Sequence, residues 1–175
     1  MRPPRKELPL RTLATYGESR AVRLDEFDYA SDADIHLVVV ADSGSPFADA
    51  AIARMVCDNI EFYCNKLTYC LYGFCLMPDH LHALVSPADS GIELKKWLQS
   101  FKSFTTNRFQ ADGGAAHLWM RSGRDRVCRS DEAAETVLTY IVNNPVRAGL
   151  VDDWRAWAWT RSLSPTADTG VGRYI

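Results

Sequence analysis

The middle of the chain constrains its fold most. Residues 68–77, TYCLYGFCLM, are apolar or aromatic almost throughout; Pro78-Asp79 interrupts them, and residues 80–85, HLHALV, resume the pattern. Proline suits a turn but not the interior of a central strand, so the sequence predicts two strands joined tightly at Pro78-Asp79. Ile35–Val40 (IHLVVV) is a β-branched run bounded by Asp-Ala-Asp and Asp-Ser-Gly-Ser-Pro, and it reads as another buried strand.

Helical periodicity fills the intervals. From Pro46 to about Lys66, apolar residues Phe47, Ile52, Met55, Val56, Ile60 and Tyr63 recur at three- and four-residue steps. A second helix fits Ile92–Phe109, with Leu94, Trp97, Leu98, Phe101 and Phe104 apolar and Lys95, Lys96, Lys102 and Arg108 solvated; Asp112-Gly113-Gly114 breaks it. Short strands are expected around Leu118–Met120 and Arg126–Arg129. Ser130-Asp131 caps a third helix that runs from Glu132 through Tyr140 toward Asn144-Pro145 and stops by Gly149. The order β-α-β-β-α-β-α predicts an α+β, ferredoxin-like sandwich, an antiparallel sheet with helices packed on it. Residues 1–30 are expected to form an N-terminal arm, 31–162 a single domain and 163–175 a tail.

Composition excludes several classes. At 175 residues and 47% hydrophobic, the chain supports one core and is not mainly disordered. Apolar runs fall short of the roughly 18–20 residues of a membrane span. The basic N-terminus, Met1 to Lys6, is followed by no apolar stretch of the kind a secretory signal carries. Five cysteines without a C-x-x-C pair fit reduced, buried thiols in a cytoplasmic protein. The net charge of −2 argues mildly against nucleic acid, but its distribution reopens the question. Residues 31–92 carry 2 basic and 8 acidic side chains, whereas residues 93–161 carry 11 and 8.

Three constellations carry chemistry. His80 and His82 are one strand period apart, so both imidazoles project from one face while Leu81 projects from the other. Such a pair suits a divalent cation, or else simple hydrogen-bonded histidines. Tyr140 and Asn144 stand four apart on a predicted helix, a candidate nucleophile beside a hard-metal amide ligand, although a proline after Asn144 disturbs that geometry. Arg121, Arg124, Arg126 and Arg129 with Trp119 interleave cations and an aromatic, as single-stranded nucleic acid would require, or form a solvated face paired with Asp125 and Asp131. His36 and His117 stand singly and receive no role.

Taken together, Leu76-Met77-Pro78-Asp79-His80-Leu81-His82 and the later Tyr140-Ile141-Val142-Asn143-Asn144-Pro145-Val146-Arg147 resemble the IS200-like, single-tyrosine transposases, most closely the REP-associated tyrosine transposases. Supporting matches at Arg23-Leu24, Asp28-Tyr29, Trp97 through Phe109, Leu118-Trp119 and Asp125 to Arg129 extend the likeness over about residues 22–162. The resemblance implies a metal-dependent transposase domain at 31–162 that cleaves and rejoins single-stranded DNA near hairpins. By the family pattern His80, His82 and Asn144 bind Mg²⁺ or Mn²⁺, and Tyr140 is the nucleophile that forms a 5′-phosphotyrosine. The same reading gives DNA contacts to Lys95, Lys102, Arg108, Trp119, Arg124, Arg126, Arg129 and Arg147, and a cytoplasmic, nucleoid-associated location. IS200-like enzymes commonly dimerise whereas the REP-associated branch need not, so a homodimer stays open. The sequence departs from the pattern at Val38-Val39-Val40, at Arg121-Ser122-Gly123-Arg124 and at Trp159-Thr160-Arg161-Ser162. The alternatives are a binding protein whose chemistry has lapsed and a phosphodiesterase that uses water.

Overall fold

A computed structural model describes residues 34–87, 90–114, 117–121, 124–127 and 134–163. The expected arm 1–30, Arg129, the Ser130-Asp131 cap and the tail past Leu163 lie outside these residues. Alternation along one strand organises the rest. His80–Ser86 (β3) turns His80, His82 and Leu84 to one face of a sheet and Leu81, Ala83 and Val85 to the other. Its neighbours are Ile35–Val40 (β1) and Cys70–Leu76 (β2), both antiparallel, with Val38 and Cys75 opposite His82. Arg124–Val127 (β4) extends the sheet beyond β1, and Thr160–Ser162 (β5) extends it beyond β2. The order β4-β1-β3-β2-β5 contains the ferredoxin-like 4-1-3-2 core.

Both faces are covered. Ile35, Leu37, Val39, Phe74, Leu76, Leu81, Ala83 and Val85 pack beneath Ala50–Lys66 (α1) and Leu94–Ala111 (α2). Asp49 caps α1, its Oδ1 accepting from the N–H groups of Ala51 and Ile52. Ala134–Val142 (α3) lies on the opposite face, where Val137, Leu138, Ile141 and Val142 bury Cys75, Met77 and Leu84. A short helix, Asn144–Arg147 (α4), continues from α3. Among the described residues no helix is long and apolar enough to cross a membrane.

Three local expectations change. The strand expected near Leu118–Met120 is a single bridge, Ala41 to Trp119, and the one near Arg126–Arg129 sits at Arg124–Val127. In α2, Phe104 is partly exposed and Thr105 takes the buried position, because its hydroxyl accepts from the Trp119 indole at 2.8 Å. β5 is additional; it exists because β2 admits it at Gly73. A Cβ there would lie 2.5 Å from Leu138 Cδ1 and 2.6 Å from the Arg161 carbonyl, so glycine lets β5 and α3 close on β2 together.

Helix ends give the first predictions. At α2 the N–H of Gly114 bonds to Phe109 O and that of Gly113 to Gln110 O, with Gly113 at φ 90°. After α1 the same double bond is made by Tyr69 to Cys64 O and Thr68 to Asn65 O, but the left-handed residue is Thr68, at φ 57°. A β-branched side chain in that conformation costs about 1–2 kcal/mol, partly offset by the chain entropy that glycine would add on unfolding. Thr68 is exposed and gives up no packing. Thr68→Gly is expected to raise stability by about 1 kcal/mol in urea unfolding, with unchanged denaturant slope. Gly73→Ala should lower it by about 1–3 kcal/mol, because helix and edge strand must both retreat.

Candidate functional site

The site begins at the Pro78-Asp79 turn. Two-residue hairpins favour turns with positive φ, which the pyrrolidine ring forbids at Pro78 and which Asp79 does not adopt. The turn is therefore held from outside. Met77 N–H donates to His80 O at 2.8 Å, Ala41 N–H to Asp79 O at 2.8 Å, and Phe47 N–H to Pro78 O at 3.0 Å. This staples the start of β3 to the end of β1 and to the 3₁₀ turn Pro46–Ala48.

From that anchor runs a chain of imidazoles. Asp79 Oδ1 lies 2.6 Å from His80 Nδ1, His80 Nε2 lies 3.0 Å from His82 Nε2, and His82 Nδ1 lies 3.1 Å from His36 Nε2. Asp79 is a carboxylate, so His80 donates Nδ1–H to it. That hydrogen bond holds the Asp79 carboxyl below its ordinary range. Burial, helped by His80, His36 and Arg147, holds the His82 pKa well below 6.5, so His82 is neutral at pH 7. His82 and His36 are almost fully buried, while the His80 side chain retains 14% exposure.

Tyr140 closes the site from α3. Its ring meets His82 edge-on at 6.3 Å and His36 at 6.2 Å, and the Arg147 guanidinium lies 4.2 Å from its centroid. The approach depends on Pro145. Proline has no N–H for the Ile141 carbonyl four residues before it, and the Asn144 side chain fills the gap. Asn144 Nδ2 donates to Ile141 O at 3.0 Å and to Tyr140 O at 3.3 Å. The four-residue spacing survives the proline because an amide replaces the missing backbone donor, and Oδ1 of Asn144 faces away from those carbonyls.

The donor chemistry fits a hard or borderline divalent cation. Two Nε2 atoms 3.0 Å apart have the separation of adjacent ligands around an octahedral ion at about 2.1 Å, roughly 3.0 Å. Among the described residues no three His, Cys, Asp or Glu side chains form such a group.

The sequence-derived residues divide accordingly. His80, His82, Tyr140 and Arg147 come together on the α3 face, and Asn144 stands at the start of α4 with its amide on the Tyr140 and Ile141 carbonyls. Lys95, Lys102 and Arg108 belong to α2, on the other side of the sheet. Lys95 and Arg108 are exposed, whereas Lys102 donates to Met120 O at 2.7 Å, and burial lowers its pKa. Trp119 is a correction. Its indole is buried between Phe47 and Phe101 and bonded to Thr105, so it is core and offers no face to a base. Arg124 and Arg126 lie in β4, with Arg126 in register with His36. His36 and Asp79 are the residues the sequence left without a role. His36 shares its strand face with Val38 and Val40, but only the β1–β3 register brings it to His82.

Comparison with known proteins agrees with the fold. A REP-associated tyrosine transposase bound to a REP hairpin superposes with a TM-score of 0.60 at 16% identity, covering 77% of this chain and 79% of that one. A Deinococcus radiodurans protein described as a transposase gives 0.47 at 18% identity, over 67% of this chain and 94% of that one. No curated protein matches the sequence. The family model for the IS200-like transposases matches residues 29–144, about two thirds of the sequence. The chain belongs to the IS200-like transposase family.

Proposed function

We propose that this protein is a metal-dependent transposase that cleaves and rejoins single-stranded DNA beside hairpins through a 5′-phosphotyrosine on Tyr140. The observation that carries this reading is the Tyr140 ring edge-on to His82, whose Nε2 converges with that of His80 in the same chain. One copy then holds the nucleophile and both histidine ligands, so the reading requires no partner subunit. The structural neighbour's bound hairpin supports folded DNA as the substrate class.

His80, His82 and the Asn144 amide oxygen would hold Mg²⁺ or Mn²⁺. A divalent cation bound there would supply positive charge for phosphoryl transfer. Tyr140 Oη attacks phosphorus in line, the phosphorus–3′-oxygen bond breaks, and the tyrosine proton passes to solvent while the 3′-oxygen gains one. The ester keeps the bond energy, so a 3′-hydroxyl of another strand can reverse the step and join DNA without a nucleotide cofactor. Arg147, already over the Tyr140 ring, would neutralise the phosphate on approach. Arg124 and Arg126, both in β4, and Arg129 would add positive charge for the strand. Lys95, Lys102 and Arg108 would meet only DNA that wraps to the far side of the sheet.

With Mn²⁺ and a hairpin-flanked single strand, wild-type protein should form a covalent adduct that survives denaturing electrophoresis. Tyr140→Phe should lose adduct and cleavage while binding the oligonucleotide within about threefold of wild type. Continued cutting by Tyr140→Phe would identify water as the nucleophile, and a wild type without adduct would identify a lapsed binder. Binding should weaken steeply with salt.

Metal ligation requires neutral His82, which sets a pH signature for the metal-free protein. The folded pKa lies below the unfolded 6.5, so between them the unfolded chain takes up the proton and stability falls as pH falls. Asp79 acts separately and lower: its contribution is present above about 3.8 and is lost as pH drops through the depressed folded value. Urea unfolding should show up to about 1.4 kcal/mol lost per pH unit below 6.5, and His82→Gln should flatten that slope.

A further inference from the structure

We propose that His36 is a positioning residue that fixes the tautomer of His82, so that Nε2 of His82 is presented bare to the cation. The inference rests on the metal reading above but concerns a residue outside the ligand set.

The argument follows from counting protons. To ligate, His80 must keep its N–H on Nδ1, donated to Asp79, and present Nε2 bare. Neutral His82 has one N–H and two candidate places for it. On Nε2, it donates to His80 Nε2 at 3.0 Å, and Nδ1 accepts from His36 Nε2 at 3.1 Å. On Nδ1, it donates to His36 Nε2, and two bare Nε2 lone pairs face each other across 3.0 Å. The first arrangement is a closed hydrogen-bonded chain with no free lone pair for an ion. The second is a cation site.

His36 serves both states with the same atom. Its Nε2 donates in one and accepts in the other, with its own proton moved to Nδ1. Ion uptake therefore shifts one proton from Nε2 to Nδ1 on each of two rings through exchange with water, and the pair keeps its proton number. A side chain that can only donate or only accept would lock one state, and an apolar one would leave His82 Nδ1–H buried without this partner. The rings of His36 and His82 stack at 5.4 Å and 30°, and both are almost fully buried, which keeps the nitrogens aligned. Each histidine ligand thus has its own orienting group, a carboxylate for His80 and an imidazole for His82.

The test reads metal and protons, not turnover. Mn²⁺ affinity is measured by electron paramagnetic resonance for wild type, His36→Gln and His36→Leu, each checked for folding by thermal melting. His36→Leu should bind Mn²⁺ about 10–100-fold more weakly, and His36→Gln, whose amide can both donate and accept, should recover most of that loss. In wild type saturated with Mg²⁺, long-range ¹H–¹⁵N spectra should place the His82 proton on Nδ1. The proposal is overturned if His36→Leu binds Mn²⁺ as wild type does, or if His82 keeps Nε2–H under Mg²⁺. The wild-type spectrum decides even where His36→Leu fails to fold. Wild-type protein that binds no Mn²⁺ overturns this inference together with the metal reading, whereas tight wild-type binding unaffected by His36→Leu overturns this inference alone.

Discussion

Everything at the candidate site hangs on the pairing of β1 with β3. The register that sets Val38 opposite His82 aligns a buried apolar face with α1 and α2, and it also places the His36 ring diagonally across from His82. A slip by one residue would turn the histidines into the α1–α2 core and move Leu81, Ala83 and Val85 to the α3 face. The hydrophobic effect therefore specifies the geometry of the polar chain indirectly. Burial of leucine and valine on one face fixes where imidazoles stand on the other.

The two ends of the site are built by contrasting uses of proline. Pro78 makes a turn that does not template its own hairpin, and backbone donors from Ala41 and Phe47 hold it in place. Pro145 removes a backbone donor, and the Asn144 amide restores it at Ile141 O. In each case a missing or mismatched local interaction is supplied by a residue that thereby becomes fixed. The amide that mends the helix is also the one with an oxygen free of those carbonyls, which is why the motif's asparagine and proline are physically one unit.

Much of this was legible in the sequence because the signals were local. A β-branched run marked β1, the apolar runs on either side of Pro78-Asp79 marked β2 and β3, three- and four-residue apolar steps marked α1 and α2, and the Asn-Pro pair marked the helix break. What escaped were consequences of register and close approach. His36 looked solitary because its partner is 46 residues away. Trp119 looked like a stacking platform amid arginines, yet a buried threonine hydroxyl on α2 satisfies its N–H and draws it into the core. β5 is three residues of modest strand character, and it forms only because Gly73 lets it reach β2.

Exposure along the histidine chain gives the site a direction. His82 and His36 are sealed between sheet and α3, whereas Asp79 is 35% exposed and His80 is 14% exposed. Under the proposed reading a phosphate reaches the imidazole pair from the Pro78-Asp79 end. It meets His80 first, with Arg147 exposed beside Tyr140 to attract it. A carboxylate at that entrance is unfavourable for a polyanion, so the cation held beyond it and Arg147 would have to outweigh it. The basic residues need only supply the long-range attraction, and the low-dielectric interior behind His80 strengthens whatever charge is placed there.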